Sequence, residues 1–289
     1  MEKEKVSIVL PIYNGERHMR QSIESCLGQS HKNIELIIVD DGSTDKSLEI
    51  TSSYKDSRIK RVRHETNKGL PAALNAGFEK ATGEYLTWTS DDNYYAESAV
   101  EDMVSFLKEK KGDFVYCDFY RFGDEDPENR MLVNSTPIST MEKENCVGAC
   151  FLYSKKVRQA VGNYNQEKEL AEDYDYWARV SKKFPMLHLA KPLYFYREHK
   201  TSLSREKPTE AAIAGALVRL ENKNSDIGSS VNTIVEAAAR RKPKKTKIRI
   251  AVARVLFSRK IKKVLEDFRS EKIGFQDAKT ALEKIVGKR

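Results

Sequence analysis

Asp91 and Asp92 stand side by side just after an apolar run from Tyr85 to Thr89. Adjacent carboxylates at the end of a buried strand repel one another unless a cation or hydrogen-bond donors offset the charge. A divalent cation does this: Mg²⁺ and Mn²⁺ accept few protein carboxylates and fill their other positions with water and phosphate oxygens, which suits a diphosphate ligand. The plain alternative is a helix cap, with Asp92 or Asn93 preceding a helix that starts near residue 97. A second pair, Asp40 and Asp41, precedes Gly42 and Ser43, and alone it reads equally as turn chemistry. Its place after an apolar strand adds meaning, because a carboxylate there can accept hydrogen bonds from a ribose or a base N–H. The chain has no GxGxxG after its first strand and no GxxxxGK(S/T) anywhere. Both glycine-rich phosphate cradles are therefore missing, and phosphate charge must be met by metal and basic side chains.

The elements that position these acids follow from periodicity. Val6 to Ile12 is an apolar β-branched run halted by Pro11, Asn14 and Gly15, and Ile34 to Val39 is another that ends on the second acidic pair. Between them, residues 17–29 space Met19, Ile23, Cys26 and Leu27 as on a helix. A helix over 45–54 capped by Ser43 or Thr44, a strand over 59–63, a helix from Leu70 to Ala81 and a strand from Tyr85 to Thr89 continue the alternation. Then come a helix over 97–110, a strand from Phe114 to Asp118, a polar loop or hairpin over 122–137, a strand over 146–153, a helix over 171–183 and a strand at 194–196. Such alternation predicts an α/β fold, a Rossmann-like, mostly parallel sheet with helices on both faces. Ligands of such sheets sit beyond the strands' carboxyl ends, where Tyr13 with Asn14, Asp40 with Asp41, and Asp91 with Asp92 all fall.

The chain of 289 residues, 39% hydrophobic and 33% charged, can bury one large core plus an appendage. The expected division is a catalytic domain over 1–206 and a helical, basic region over 207–289. Cys26, Cys117, Cys146 and Cys150 show no CxxC pairing, which argues against structural zinc and favours a reducing cytoplasm. No apolar run approaches the roughly 20 residues that cross a bilayer. Residues 240–289 hold 18 Lys and Arg against 5 Asp and Glu, a larger surplus than the +8 of the whole chain. The basic charge thus belongs to a tail, and a nucleic-acid partner is not expected. Residues 247–268 interleave Ile248, Val252, Leu256, Ile261, Leu265 and Phe268 with Arg and Lys, a basic amphipathic helix. It suits an anionic membrane surface, placing the protein peripherally on the inner face, or equally packing on the catalytic domain or on another subunit of a homo-oligomer.

Five ordered blocks resemble the family 2 glycosyltransferases of the GT-A fold over roughly residues 4–204: VSIVLPIYN (6–14), IIVDDGSTD (37–45), NKGLPAALNAG (67–77), GEYLTWTSDDN (83–93) and EDYDYW (172–177). The resemblance implies an inverting transfer of sugar from a nucleotide diphosphate sugar, UDP-linked, to a hydroxyl of a glycan or lipid-linked acceptor, with Mg²⁺ or Mn²⁺ as cofactor. It implies that Pro11 and Tyr13 line the base pocket, that Asp41 bonds the base, that Asp91 holds the ribose or assists the metal, and that Asp92 ligates it. The family often carries a further aspartate two residues before Asp91; here that position is Thr89. Asp173 matches the catalytic base, a role that fits inverting chemistry, where one carboxylate takes the acceptor's proton as the hydroxyl attacks in line. Glu172 would bind acceptor hydroxyls. Lys68 matches a nucleotide contact or is an ordinary turn residue, while Arg197 and His199 follow the last strand where relatives place groups that touch diphosphate or metal. Trp177, on the same helix face as Asp173, reads as packing. Two other readings are a sugar nucleotidyltransferase, which would need a basic glycine-rich loop in place of Tyr13 to Glu16, and a nucleotide-sugar binding module without turnover.

Overall fold

The computed structural model describes residues 4–199, 202, 206–222, 226–240 and 247–287, with residues 239, 240 and 247–257 as backbone only. The chain divides into two compact units, one of Met1–Ile138, Asn145–Gln166 and Arg179–His199, the other of Ser139–Glu144, Glu167–Ala178 and Lys200–Arg289.

The first unit is built on one nine-stranded sheet. Its strands are β1 (Val6–Ile12), β2 (Ile34–Asp40), β3 (Ile59–Arg63), β4 (Tyr85–Trp88), β5 (Tyr94–Tyr95), β6 (Phe114–Gly123), β7 (Asp126–Val133), β8 (Phe151–Ser154) and β9 (Leu187–Glu198). The order is β3-β2-β1-β4-β8-β6-β9-β5, with β7 hairpinned onto β6. The strands β3, β2, β1 and β4 run parallel, with Val9 paired to both Ile37 and Trp88. Beyond β4 the pairing is mixed: β8 runs antiparallel to β4 and β6, while β6 and β9 are parallel. The parallel half is the one with unbroken apolar strands, and every residue of β1 and β2 is buried, as a sheet covered on both faces requires.

Helices α1 (Met19–Leu27), α2 (Ser47–Ser53), α3 (Leu70–Glu79), α4 (Ala99–Lys110) and α5 (Lys155–Val161) belong to this unit. Helix α1 buries Met19, Ile23 and Cys26 in the core with Ile8, Leu36, Val100 and Met103. At the amino ends of the strands a buried acid ties the sheet together. Glu35 accepts hydrogen bonds from the Ser7 hydroxyl at 2.6 Å and the Thr82 N–H at 2.6 Å, and Lys60 and Lys5 lie 2.7 and 3.0 Å from its other oxygen. Burial opposes its charge, but Lys60, Ser7, Thr82 and Lys5 prevail and hold it at about 2.

The second unit is helical. It holds the start of α6 (Glu172–Ser181), then α7 (Pro208–Glu221), α8 (Ile227–Arg240), α9 (Lys247–Arg269) and α10 (Phe275–Gly287). Its core gathers Ile213 and Leu217, Ile234, Ile261 and Leu265, and Ala278 and Leu282. Lys168, 2% exposed, pairs with Glu221 and lies 3.7 Å above the Phe275 ring, while Gln276 Nε2 donates to the Glu167 carbonyl at 2.6 Å. Of the basic amphipathic stretch expected at 247–268, the side chains up to residue 257 lie outside the described residues. Past that point Ile261, Leu265 and Phe268 are buried, while Lys260, Lys262 and Lys263 are exposed. The described part of its apolar face is therefore spent on protein. Among the described residues no helix is long and apolar enough to cross a membrane.

Candidate active site

At the carboxyl ends of β1, β2 and β4 three loops meet within the first unit. The chain leaving β1 turns at Asn14, which takes a left-handed φ of 53°, and passes against Asp91 so closely that a Cβ on Gly15 would lie 2.3 Å from Asp91 Oδ2. Only glycine fits there without moving the carboxylate. The Tyr13 N–H donates to the same oxygen at 3.3 Å, and the Tyr13 ring stays 49% exposed beside it. The 14–16 and 43–47 loops are laced together: Asn14, Gly15 and Glu16 donate backbone N–H to Ser43, Ser47 and Asp45, and Thr44 and Lys46 return bonds to Asn14 and Glu16.

Asp41, 3% exposed, staples a further loop. Its carboxylate accepts the Lys68 N–H at 3.0 Å and the Gly69 N–H at 2.9 Å, and His64 Nδ1 lies 2.6 Å away. Gly69 sits at a φ of 86°, a left-handed turn that aims these donors inward. Lys68 thus contributes its backbone to Asp41, and its side chain is exposed. Pro11 is a buried residue of β1 paired with Val39.

The acidic pair after β4 is held from two sides. Ser22 of α1 donates to the Asn93 carbonyl, and Asn93 Oδ1 accepts the Arg197 N–H at 2.7 Å. Burial, reinforced by the charge of Asp92, pushes the Asp91 carboxyl up to about 7. Asp92 Oδ2 lies 2.9 Å from His199 Nε2, and the hydrogen bond to Asp92 raises the His199 pKa. Asp92 Oδ1 is buried and has no hydrogen-bond partner among the described residues. Where the family often has a further acid, Thr89 is fully buried and its hydroxyl meets the Tyr194 hydroxyl at 2.6 Å.

Three residues that periodicity did not single out join the cluster. Asp124, at the tip of the β6–β7 hairpin, turns inward to 11% side-chain exposure. Its Oδ1 accepts Arg197 Nη1 at 2.9 Å, and its Oδ2 faces Arg17 at 3.2 Å and His18 Nε2 at 3.3 Å. The His18 and His199 rings are 5.6 Å apart. An acid at a hairpin tip reads as turn chemistry, so only the long-range pairing of β6 with β9 could reveal it.

Among the described residues no group of three or more His, Cys, Asp and Glu side chains is placed to hold a metal ion. A unit that offers one carboxylate with an unsatisfied oxygen and one imidazole nevertheless fits a divalent cation whose remaining positions are filled by diphosphate and water. Asp92 and His199 are the residues that would hold it.

Glu172 and Asp173 belong to the second unit, in the first turn of α6. Glu172 is 7% exposed with Oε2 lacking a hydrogen-bond partner among the described residues. Burial and then the Asp173 charge push its carboxyl up to about 8. Asp173 is less buried and its Oδ1 accepts the Tyr174 N–H at 2.6 Å. Tyr174 anchors the turn by donating to the Met141 carbonyl at 2.6 Å. Trp177 is fully buried, in keeping with a packing role.

Comparison with known proteins agrees with this architecture. The family described as Glycosyl transferase family 2 matches residues 7–162. An uncharacterized glycosyltransferase of Haemophilus influenzae is 43% identical over 120 residues, 39% of this chain and 48% of its own. The chain thus spans about half the length of that relative. EpsE of Bacillus subtilis is 33% identical over 221 residues, 71% of this chain and 77% of its own. Among solved structures, the mannosyltransferase PcManGT of Pyrobaculum calidifontis in complex with GDP-Man and Mn²⁺ superposes with a TM-score of 0.63 at 13% identity, over 99% of this chain and 88% of that one. TarS 1–349 of S. aureus in complex with UDP-GlcNAc does so with a TM-score of 0.61 at 17% identity, over 97% and 91%. At such identities the likeness is one of fold.

Proposed function

Since the chain belongs to glycosyl transferase family 2 and has the GT-A fold, we propose that it transfers a sugar from a UDP-linked donor, with inversion, to a hydroxyl of a glycan or lipid-linked acceptor. The observation that carries this reading is the Asp92–His199 pair with its unsatisfied carboxylate oxygen, set at the carboxyl end of β4. When bound, Mg²⁺ or Mn²⁺ supplies Lewis-acid stabilisation of the departing diphosphate. Tyr13 offers an exposed ring for the base, and Asp41 keeps the 67–69 turn in shape around it. Asp91, beside the Tyr13 N–H, offers carboxylate oxygen to a ribose hydroxyl. Asp173 is the base that takes the acceptor's proton; Glu172, kept largely neutral by burial, donates a hydrogen bond to an acceptor oxygen. The sheet unit binds the donor, and the unit that holds Glu172, Asp173 and the C-terminal helices receives the acceptor.

A thermal-shift screen of UDP-, GDP- and other nucleotide sugars with Mn²⁺ tests it, because ligands that bind the native state raise its midpoint. One donor should raise the midpoint by several degrees and release its nucleoside diphosphate when acceptor is added. A screen in which no nucleotide sugar stabilises the protein contradicts the reading. Pelleting with anionic liposomes, with and without residues 240–289, tests membrane association; equal pelleting removes it.

A further inference from the structure

The donor-site reading, on which this inference rests, requires a cation for the phosphates beyond any metal. Arg197, which the family resemblance puts there, is 8% exposed and committed to protein. Its Nε donates to the Asp92 carbonyl at 2.9 Å, its Nη1 to Asp124 at 2.9 Å and its Nη2 to Gln21, and its guanidinium lies 4.7 Å from the Phe122 ring centre. Turning it onto a phosphate would break three hydrogen bonds and release the turn that carries Asp92.

Arg17 is held differently. Its side chain is 72% exposed, and among the described residues it pairs with Asp124 Oδ2 at 3.2 Å. The Asp124 oxygen it faces is also 3.3 Å from His18 Nε2, and the His18 ring lies 5.6 Å from that of His199. An exposed ion pair of this kind contributes about 0–1 kcal/mol and engages Nη2 alone, so it aims the guanidinium while its other N–H groups face a phosphate. The planar fork of arginine matches phosphate oxygens two at a time. We propose that Arg17 is the side chain that meets the donor diphosphate, that Asp124 at the hairpin tip is its positioning residue, and that Arg197 is a fixed brace of the Asp92 turn.

Calorimetric titration of the full chain with UDP and UMP, and with GDP and GMP, in Mn²⁺ tests the assignment. Arg17→Gln should weaken diphosphate binding about tenfold, the scale of one charged contact, and leave the monophosphate within about twofold. Arg17→Lys should recover part of the loss, and Asp124→Asn should lower the diphosphate-to-monophosphate preference about threefold. The melting midpoint of Arg17→Gln should match wild type, since the side chain is exposed. An unchanged preference in Arg17→Gln overturns the role of Arg17, and an unchanged preference in Asp124→Asn overturns that of Asp124. A wild-type protein that binds none of the four nucleotides removes the donor-site reading and this assignment together.

Discussion

The same sheet buries acids at both of its ends and treats them oppositely. At the amino ends Glu35 is surrounded by two lysines, a hydroxyl and an N–H, and its pKa falls to about 2. At the carboxyl ends Asp91 is raised to about 7 by burial and then by the charge of Asp92, and Asp92 keeps a buried oxygen with no partner among the described residues. At one end the buried acid is satisfied within the fold; at the other, Asp41 is satisfied but Asp92 Oδ1 is left without a partner among the described residues. Buried carboxylates left short of partners are expected where a protein binds something that completes them.

The sharpest way to break this contrast is to remove the unsatisfied acid. Asp92→Ala should lower sugar transfer by about a thousandfold or more, roughly 4 kcal/mol of transition-state stabilisation, without lowering the melting midpoint. It should also draw the Asp91 pKa down, readable by NMR titration of its carboxyl. In the second unit, Asp173→Asn should cost transfer about as much while leaving donor affinity in calorimetry as in wild type. A fully active Asp173→Asn enzyme ends the base assignment.

Glu35→Gln is the converse experiment. It should cost about 3 kcal/mol of folding stability at neutral pH and leave kcat unchanged in protein that remains folded. Because the folded pKa of Glu35 lies below its usual 4.5, the folded state binds this proton less readily than the unfolded chain. Its contribution is therefore complete above about pH 4.5 and lost as pH falls toward 2. Chemical denaturation at pH 7 and pH 3 should show a smaller difference in Glu35→Gln than in wild type. A smaller effect is expected from Gly15→Ala, whose new methyl must displace Asp91. About 10- to 100-fold in kcat/KM should be lost, with little change in the denaturation midpoint.

Much of the parallel half of the sheet was legible because its signals are local. The runs Val6 to Ile12 and Ile34 to Val39 end on turn residues and acids, and the structure puts β1 and β2 there with those acids at one end. Strand β5 is two residues long and exists through its pairing with β9, so no periodicity marks it. Residues 194–196 read as a short strand, yet β9 runs from Leu187 to Glu198 because β6 lies alongside to receive it. The mixed pairing beyond β4 was likewise hidden, since strand direction is settled by connections rather than composition. At the site, Asp91 and Asp92 announced themselves by adjacency. Arg17, His18 and Asp124 did not, because their meeting depends on a hairpin tip folding back over a loop more than a hundred residues earlier in the chain.

The segment Glu167–Ala178, which carries Glu172 and Asp173, folds with the C-terminal helices rather than with the sheet. Lys168 is clasped by Glu221 and Phe275, and the Glu167 carbonyl by Gln276. Any recombination that exchanges the last eighty residues between relatives must therefore carry this inner stretch along, or strand an orphaned lysine in a foreign setting. For those who build chimeras, the heritable cassette is discontinuous: Glu172 and Asp173 travel with the chain's end, as does Ser139–Glu144, and crossover points belong on either side of all three pieces.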